Sequence, residues 1–307
     1  MALNDSSSIA HVFRVCGNLI KSKLRNLRLH SGVNFGVNPT IPFSPLKRTL
    51  PPLRLTKTPL IFVLAQVRVT PITQIERFLP LIQESLRHQG FPNLVKRKFR
   101  IEVPGSDGQL TSEERVQWEY INSTHTCSIL VDDGSLVLQT TAYDSGEEFL
   151  KKLALALDAF VTNAQPTQLL RVGLRYVDLI TPAGDLGISE LVDPALRAAP
   201  PLLPGEPATR IWEHLRLTSA HTRLLVRYTE AQSGLAFPPD IGPFISLRLA
   251  QSPEQKTPFG LLDTDHFDEE VSDFASPLVL ERMANLHDIL DQSFRQLVSK
   301  AALELWQ

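Results

Sequence analysis

Cysteine is scarce in this sequence, with only Cys16 and Cys127 among 307 residues. The two stand far apart in unlike contexts and neither has a C-x-x-C partner, which argues against a disulfide framework, a dithiol or a cysteine-based metal site. The chain also has no apolar run of membrane-spanning length. We therefore expect a cytoplasmic protein in a reducing compartment, with no membrane partner.

Signatures of common catalytic sites are missing as well. The sequence has no G-x-x-x-x-G-K phosphate loop, no G-x-S-x-G turn, no H-E-x-x-H helix and no glycine-rich dinucleotide turn. Its 15 glycines are scattered, with no cluster that could cradle a phosphate. The sequence predicts no cofactor, and it leaves open whether the protein is an enzyme.

Charge is divided unevenly along the chain. The net formal charge is −2. Residues 1–57 hold nine basic residues and one acidic residue, a balance of +8, while the remaining 22 basic and 32 acidic residues give −10. An acidic body does not favour wrapping a phosphate backbone, so the composition argues against extended nucleic-acid binding.

Residues 1–57 are predicted to be a basic, flexible leader containing serine and proline. Arg- and Ser-rich segments that are poor in acids resemble organelle transit sequences. A plain flexible tail and upstream sequence from a wrongly chosen start codon are the competing interpretations. These two are favoured because composition alone is a weak targeting signal. We expect the leader to be dispensable for folding.

The pattern predicts ordered structure from residue 58 onward. Leu60 to Val69 is a near-continuous apolar run, typical of a central strand, and a helix kinked at Pro80 is expected after it. Four more strands are predicted at Leu94 to Val103, Arg115 to Ile121, Thr126 to Val131 and Leu136 to Ala142. The capping-box spacing of Ser145 and Glu148 predicts a helix over 146–161. Residues 58–165 therefore form a first predicted unit.

A similar order of elements recurs in residues 166–307. Strands are predicted at Leu170 to Ile180, Arg210 to Leu217, Thr222 to Thr229, Ile245 to Ala250 and Phe259 to His266. A long helix over 278–303 follows them. The predicted fold is α+β, with two tandem β-α-β4-α units related by a pseudo-two-fold duplication. Each antiparallel sheet would be covered by its own long helix, as in helix-grip folds.

The segment Leu170 to Ile180 gives the most informative local pattern. Because strand side chains alternate between faces, Arg171, Gly173 and Arg175 share the face opposite the apolar residues. Two guanidinium groups beside a glycine leave room for an anion or a partner carboxylate. Arg68, on the first strand of the first unit, would join this site if the two first strands lie side by side. The competing interpretation is a structural ion pair with an acidic neighbouring strand.

Asp263 and Asp265 are the candidates for metal or acid chemistry. They lie two residues apart on a predicted strand, so both carboxylates point to one face and could bind a hard cation. The favoured alternative is that they pair with Arg171 and Arg175 or lie solvated at the end of a strand, because a metal site needs further ligands that the sequence does not place.

These segments resemble a sporadically distributed prokaryotic protein family of unknown function. The matching features are P-L-I-F-V-L-A-Q-V-R-V at Pro59 to Val69, L-R-V-G-L-R-Y-V-D at Leu170 to Asp178, the segment Leu262 to Phe267, and the closing helix from Leu286-His287 to Trp306. The resemblance covers about residues 58–307. Family members begin just before the first strand, which favours a start-site or fusion artefact for the leader. The resemblance implies an accessory role linked to mobile elements or defence, and no established catalytic residues.

Two hypotheses of function follow. The first is a soluble, non-enzymatic accessory protein that binds a protein partner or a small anionic ligand through an arginine-bearing cleft between the two units. That cleft would be lined by Arg68, Arg171, Gly173 and Arg175. The second is a metal-dependent hydrolase or nuclease that uses Asp263 and Asp265. The enzyme requires further ligands that converge on the two aspartates, whereas the binding protein requires none.

Overall fold

Ten strands pair into one continuous sheet in which every pairing is antiparallel. The computed structural model describes residues 53, 55–104, 110–197, 204–205, 207–241 and 246–307. Its strands are β1 (Leu60–Val69), β2 (Asn93–Pro104), β3 (Leu110–Ile121), β4 (Cys127–Val131), β5 (Ser135–Thr140), β6 (Gln168–Ile180), β7 (Thr209–Leu217), β8 (Thr222–Ala231), β9 (Gly234–Leu235), β10 (Glu254–Gln255), β11 (Phe259–Asp268) and β12 (Ser272–Asp273).

The order of the strands places β1 and β6 at the middle of the sheet. It runs β2-β3-β4-β5-β1-β6-β11-β8-β7, β12 adds to one end of β6, and β9 and β10 form a separate small hairpin. Both central strands are almost entirely apolar on the face that carries most of the core. Pairing them satisfies the backbone groups of two strands that would otherwise be buried edges.

Helices cover one face of this sheet. They are α1 (Leu79–His88), α2 (Gly146–Ala164), α3 (Ile188–Leu191), α4 (Ser276–Leu297) and α5 (Lys300–Trp306). The buried residues of α2 and α4 join those of β1, β5, β6, β8 and β11 in one hydrophobic cluster. Because this cluster draws on both halves of the chain, the two halves share a core instead of each having its own.

The prediction of two helix-covered β-α-β4-α units is wrong. The sheet passes without a break from β5 through β1 and β6 to β11, so there are not two sheets that meet. Residues 246–250 of the predicted strand Ile245 to Ala250 are not in a strand, which leaves the second half short of the repeat. Helix-grip packing and duplication therefore have no support, and the sheet dominates a fold that contains both helices and strands.

The first predicted helix also begins later than expected. Pro80 does not kink a long helix, because α1 begins at Leu79 with Pro80 in its first turn, where a proline removes no helical hydrogen bond. A 3-10 turn, Ile75–Arg77, precedes it. The capping box at α2 is confirmed, since the Ser145 side chain accepts a hydrogen bond from the Glu148 backbone nitrogen at 3.3 Å.

Most of the predicted leader lies outside the described residues, and its last few residues contact the body. Leu53 and Leu55 pack against the hydrophobic cluster. The Thr56 hydroxyl donates to the Gln307 carbonyl at 2.6 Å, and the Lys57 backbone nitrogen donates to the Trp306 carbonyl at 3.1 Å. These bonds attach the segment before β1 to the end of α5.

Two buried titratable groups lie on the helix-covered face. Asp178, on β6, is buried, with 3% of its surface exposed. Burial, with a smaller contribution from the charge of Asp263, raises the pKa of Asp178 to about 8. Burial lowers the pKa of His266 to about 4, although its ring contacts the Leu286 carbonyl at 3.2 Å and the Thr218 hydroxyl at 2.9 Å.

Asp178 should make the protein less stable as the pH rises from about 4 to about 8. In that range the folded protein keeps a proton that the unfolded chain, with an ordinary aspartate pKa of 3.8, has lost. His266 affects stability only below its ordinary pKa of 6.5, so measurements from pH 6.5 to 8 avoid its contribution, and the difference between the wild type and Asp178→Asn isolates that of Asp178. Asp178→Asn should flatten the decline by roughly 1 kcal/mol per pH unit in urea unfolding.

The exposed Asp185 provides the control for this measurement. Asp185→Asn should leave the dependence of unfolding free energy on pH as it is in the wild type. An Asp178→Asn variant with an unchanged slope between pH 6.5 and 8 would show that Asp178 ionises in the folded protein as it does in water.

Candidate functional site

A band of polar and charged side chains crosses the face of the sheet opposite the one that the described helices cover. We call it the polar band and define it by these residues: Gln66, Arg97, Glu119, Ser128, Gln139, Arg171, Arg175, Glu213, Arg227, Asp263 and Asp265. The side chains of β6 alternate between the two faces of the sheet, and this alternation explains why two arginines lie at the centre of the polar band. Val172, Leu174 and Tyr176 enter the core on the helix-covered face, so Arg171 and Arg175 must point to the other face.

Arg175 is the most highly connected residue of the polar band. Its Nε and Nη2 donate to the two carboxylate oxygens of Asp263, both at 2.7 Å. Its Nη1 and Nη2 donate to the carboxylate of Asp240 at 2.7 and 3.0 Å. Two edges of one guanidinium therefore each bind a carboxylate with two hydrogen bonds, which is the geometry in which arginine binds carboxylates most strongly.

The electrostatics of this cluster favour the fully charged state. Burial alone would lower the pKa of Arg175, but the charges and hydrogen bonds of Asp263 and Asp240 raise it well above the ordinary value. Burial would raise the pKa of Asp240, but its bonds with Arg175 outweigh that effect and hold the pKa below its ordinary range. At neutral pH Arg175 is thus a cation between two carboxylates.

Arg171 is held by different contacts. Its Nη1 donates to the side-chain oxygen of Gln66 at 2.6 Å, and its Nη2 lies 3.6 Å from the carboxylate of Asp265. The guanidinium carbon lies 4.4 Å from the centre of the Phe267 ring, within the range of a cation–π interaction. These three contacts fold the Arg171 side chain down onto the sheet.

The folded Arg171 side chain fills the space above Gly173. A Cβ atom placed at Gly173 would lie 2.8 Å from Nη1 of Arg171, closer than real Cβ contacts. The sequence led us to expect an opening there for an anion, and the guanidinium of Arg171 occupies that opening. The glycine is required because it lets Arg171 lie flat.

Arg68 lies beside this cluster on β1, and β1 and β6 do lie side by side. The Cα atom of Arg68 is paired with that of Arg171 across the two strands, so both side chains leave the same face. Arg68 is exposed, and it makes no hydrogen bond or ion pair with the described part of the chain. The structure thus brings Arg171, Gly173 and Arg175 together and leaves Arg68 at the rim.

Asp263 and Asp265 both face arginines, which confirms the favoured interpretation of these two carboxylates. Asp263 binds Arg175 and also lies 3.5 Å from Nη1 of Arg227. Asp265 faces Arg171, and burial raises its pKa despite the neighbouring arginines. Within the described ranges, no group of three or more His, Cys, Asp or Glu side chains is placed to hold a metal ion.

A long connection between β8 and β11 lies across part of the polar band. We call its described residues 232–241 and 246–258 the strap. Ala236, Phe237 and Ile241 pack against Phe62, Val177 and Leu179 in a second hydrophobic cluster on this face. The ring centres of Phe62 and Phe237 are 5.5 Å apart in an edge-to-face arrangement. This cluster positions Asp240 above Arg175.

A second polar contact fixes the strap farther along the band. Glu119, on β3, is fully buried, and one of its oxygens accepts hydrogen bonds from Ser128 at 2.8 Å and Gln139 at 3.2 Å. Ser246 of the strap donates to the same oxygen. The other oxygen lies 2.7 Å from Nη2 of Arg97. Arg175 and Glu119 therefore hold the two described parts of the strap.

Sequence reasoning missed Asp240, Gln66 and Glu119. Asp240 lies in a proline-containing loop 65 residues from Arg175, where no periodicity shows what it contacts. Gln66 could have been found, because it occupies the same strand face as Arg68, two residues away. Glu119 stands between Trp118 and Tyr120, and a carboxylate inside an otherwise aromatic strand segment is a signal of a buried polar network.

Comparison with known proteins adds no further information about the site. No model of a known protein family matches the chain, and no curated protein matches it at a significant level. The resemblance of the R-V-G-L-R-Y segment to a prokaryotic family stays a prediction. None of the described helices is long and apolar enough to span a membrane.

Arg175→Ala should strongly destabilise the protein. The substitution would remove the four hydrogen bonds that hold Asp263 and Asp240 and leave Arg227, at 3.5 Å, as the remaining arginine beside Asp263. Breaking a largely buried pair in this way costs roughly 3–5 kcal/mol. Arg223, whose ion pair with Glu269 at 2.7 Å is partly exposed, is the matched control, and Arg223→Ala should cost at most about 1 kcal/mol. Urea unfolding measures both. Equal losses would show that the Arg175 pairs stabilise no more than surface pairs.

Gly173→Ala should cost about 1 kcal/mol, because it displaces Arg171 from Gln66 and Asp265. Gly134→Ala is the control, since a Cβ there would meet only the Val69 carbonyl at an ordinary 3.8 Å. In an Arg171→Ala background the cost of Gly173→Ala should vanish, which a double-mutant cycle measures by urea unfolding. If Gly173→Ala still destabilises the protein when Arg171 is already alanine, the cost comes from strain in the backbone of β6 and not from displacing Arg171.

Proposed function

We propose that the protein is a non-enzymatic binding protein that accepts an anionic group, preferably a carboxylate of a partner or small ligand, on Arg175. The observation that supports this most directly is the binding of Asp240. A carboxylate that belongs to the strap, and not to the sheet, occupies one edge of the Arg175 guanidinium with two hydrogen bonds of 2.7 and 3.0 Å. A ligand carboxylate would bind arginine with the same geometry.

Asp263 prepares Arg175 for such an exchange. It lies on β11, next to β6, and it holds the inner edge of the guanidinium with two bonds of 2.7 Å. When Asp240 leaves, Asp263 still fixes the plane of the guanidinium, so the outer edge stays oriented toward the ligand. A group held in its binding geometry before the ligand arrives loses little entropy on binding.

The exchange also conserves charge. Replacing the Asp240 carboxylate by that of a ligand keeps Arg175 between two anions, so no buried charge is left unpaired. The Asp240 side chain is 22% exposed, which makes it the more accessible of the two carboxylates, since Asp263 is 5% exposed. Arg68 at the rim adds a cation that would attract an anion.

The alternative of a metal-dependent hydrolase receives no such support. Asp263 and Asp265 face Arg175, Arg227 and Arg171 at 2.7, 3.5 and 3.6 Å. A cation placed between these carboxylates would have to displace arginines that already neutralise them. The charge balance of the site thus favours an anion as the ligand.

Asp240→Asn tests the proposed function. The substitution keeps the shape of the side chain but removes the competing charge, so it should free the outer edge of Arg175 for an added anion. Citrate serves as the probe, with sodium chloride at matched ionic strength as the salt control. We expect the apparent Kd for citrate, from thermal shift and calorimetry, to fall at least about tenfold relative to the wild type, a change of about 1.4 kcal/mol.

Glu269→Gln is the matched control, because it frees the guanidinium of Arg223 in the same way at another position. This variant should bind citrate as weakly as the wild type. If Asp240→Asn and Glu269→Gln respond to citrate alike, the gain reflects net charge alone and the Arg175 site is not a binding site.

A further inference from the structure

The two edges of the sheet differ in how they are protected against pairing with another strand. The edge strand β2 carries Lys96, Arg97 and Lys98 in succession and ends at Pro104, and charges and prolines of this kind keep an edge from pairing. The other edge strand, β7, contains no lysine and no proline. It pairs with β8 along all nine residues without a bulge.

The unprotected edge also exposes a row of apolar side chains. On the polar-band face of β7, Ile211 is 76% exposed, Leu215 is 39% exposed and Leu217 is 67% exposed. Within the described part of the chain, β8 is the one strand that pairs with β7. A long, regular edge with exposed apolar side chains, and with no described strand on its outer side, is a template for the addition of a further strand.

We propose that β7 is a dimerisation edge, on which a second copy of this chain pairs its own β7 in antiparallel orientation. A two-fold axis perpendicular to the sheet keeps equivalent faces on the same side, so the apolar rows of the two copies meet. The two sheets of ten strands would then continue into one another.

The charges along β7 select one register for this pairing. With the axis at Glu213, Arg210 would lie opposite Arg216 of the second copy and Glu213 opposite itself, and like charges directly opposite are destabilising. With the axis at His214, Ile211 lies opposite Leu217 of the second copy, which is an apolar pair.

The same register places a cationic side chain of one copy opposite an aromatic ring of the other. Trp212 would lie opposite Arg216 of the second copy on the helix-covered face, an arrangement that permits a cation–π contact on each side of the axis. Glu213, which is already neutralised by Arg227 at 2.7 Å, would lie opposite Leu215 of the second copy. The only directly opposed identical residues are the two His214 rings on the axis.

Sedimentation of the full chain from about 1 to about 100 µM tests the proposal. We expect a species of twice 34.3 kDa. Ile211→Lys and Leu217→Lys should each raise the dimer Kd at least tenfold, because they place charges in the apolar row. Val271→Lys is the matched control, since Val271 is 60% exposed but lies in the connection between β11 and β12 and not on β7, and it should leave the Kd unchanged. Melting temperatures check that each variant is folded.

Cross-linking tests the register. In a Cys16→Ser background, with Cys127 buried, His214→Cys should form a disulfide between the copies, because the two Cβ atoms on the axis lie within reach of a bond. Leu215→Cys should not do so.

A chain that stays monomeric at the highest concentration, or a dimer unaffected by Ile211→Lys, would overturn the proposal. Open-ended polymers would also overturn it, since they would mean that β7 pairs with β2 of the next copy.

Discussion

The antiparallel pairing of β1 with β6 is the interaction on which the rest of the structure depends. These two strands come from opposite halves of the chain, and their backbone pairing runs from Leu60 to Val69 on one side and from Asp178 to Leu169 on the other. It turns two groups of strands into one sheet. A single sheet offers one continuous face to the helices, so α2 and α4 pack against each other over one core.

The alternation of β6 then divides the molecule into an apolar face and a polar face. Leu174 and Tyr176 enter the helix-covered core, while Arg171 and Arg175 leave on the other face. A guanidinium at the middle of a sheet is costly to bury unless carboxylates surround it. The neighbouring strand supplies Asp263, and the strap supplies Asp240. The charge on β6 thus helps to hold the strap, together with the apolar contacts of Phe237 and the hydrogen bond from Ser246 to Glu119.

Features that depend on residues close together in the sequence could be predicted from its periodicity. Features that depend on contacts between distant residues could not. The ten-residue span of β1, the cap at Ser145 and the shared face of Arg171 and Arg175 follow from local patterns, and they were predicted. The pairing of Asp263 and Asp265 with these arginines was the favoured interpretation and is confirmed. The single sheet was not predicted. Two apolar strands are expected at the centre of two separate sheets just as much as side by side in one sheet. Asp240 was missed because it lies in a loop, where the sequence has no repeating pattern that shows which way a side chain points.

Arg175 has one carboxylate partner on the sheet and a second one on the strap. A purely structural pair needs one carboxylate, and Asp263 alone satisfies one edge of the guanidinium and neutralises it. The second carboxylate, Asp240, comes from the strap and binds the other edge of the guanidinium. Asp263 also lies 3.5 Å from Nη1 of Arg227, so the carboxylate on the sheet contacts two arginines. The proposed exchange of an incoming anion for Asp240 rests on this difference between the two carboxylates, because Asp263 holds Arg175 from within the sheet itself.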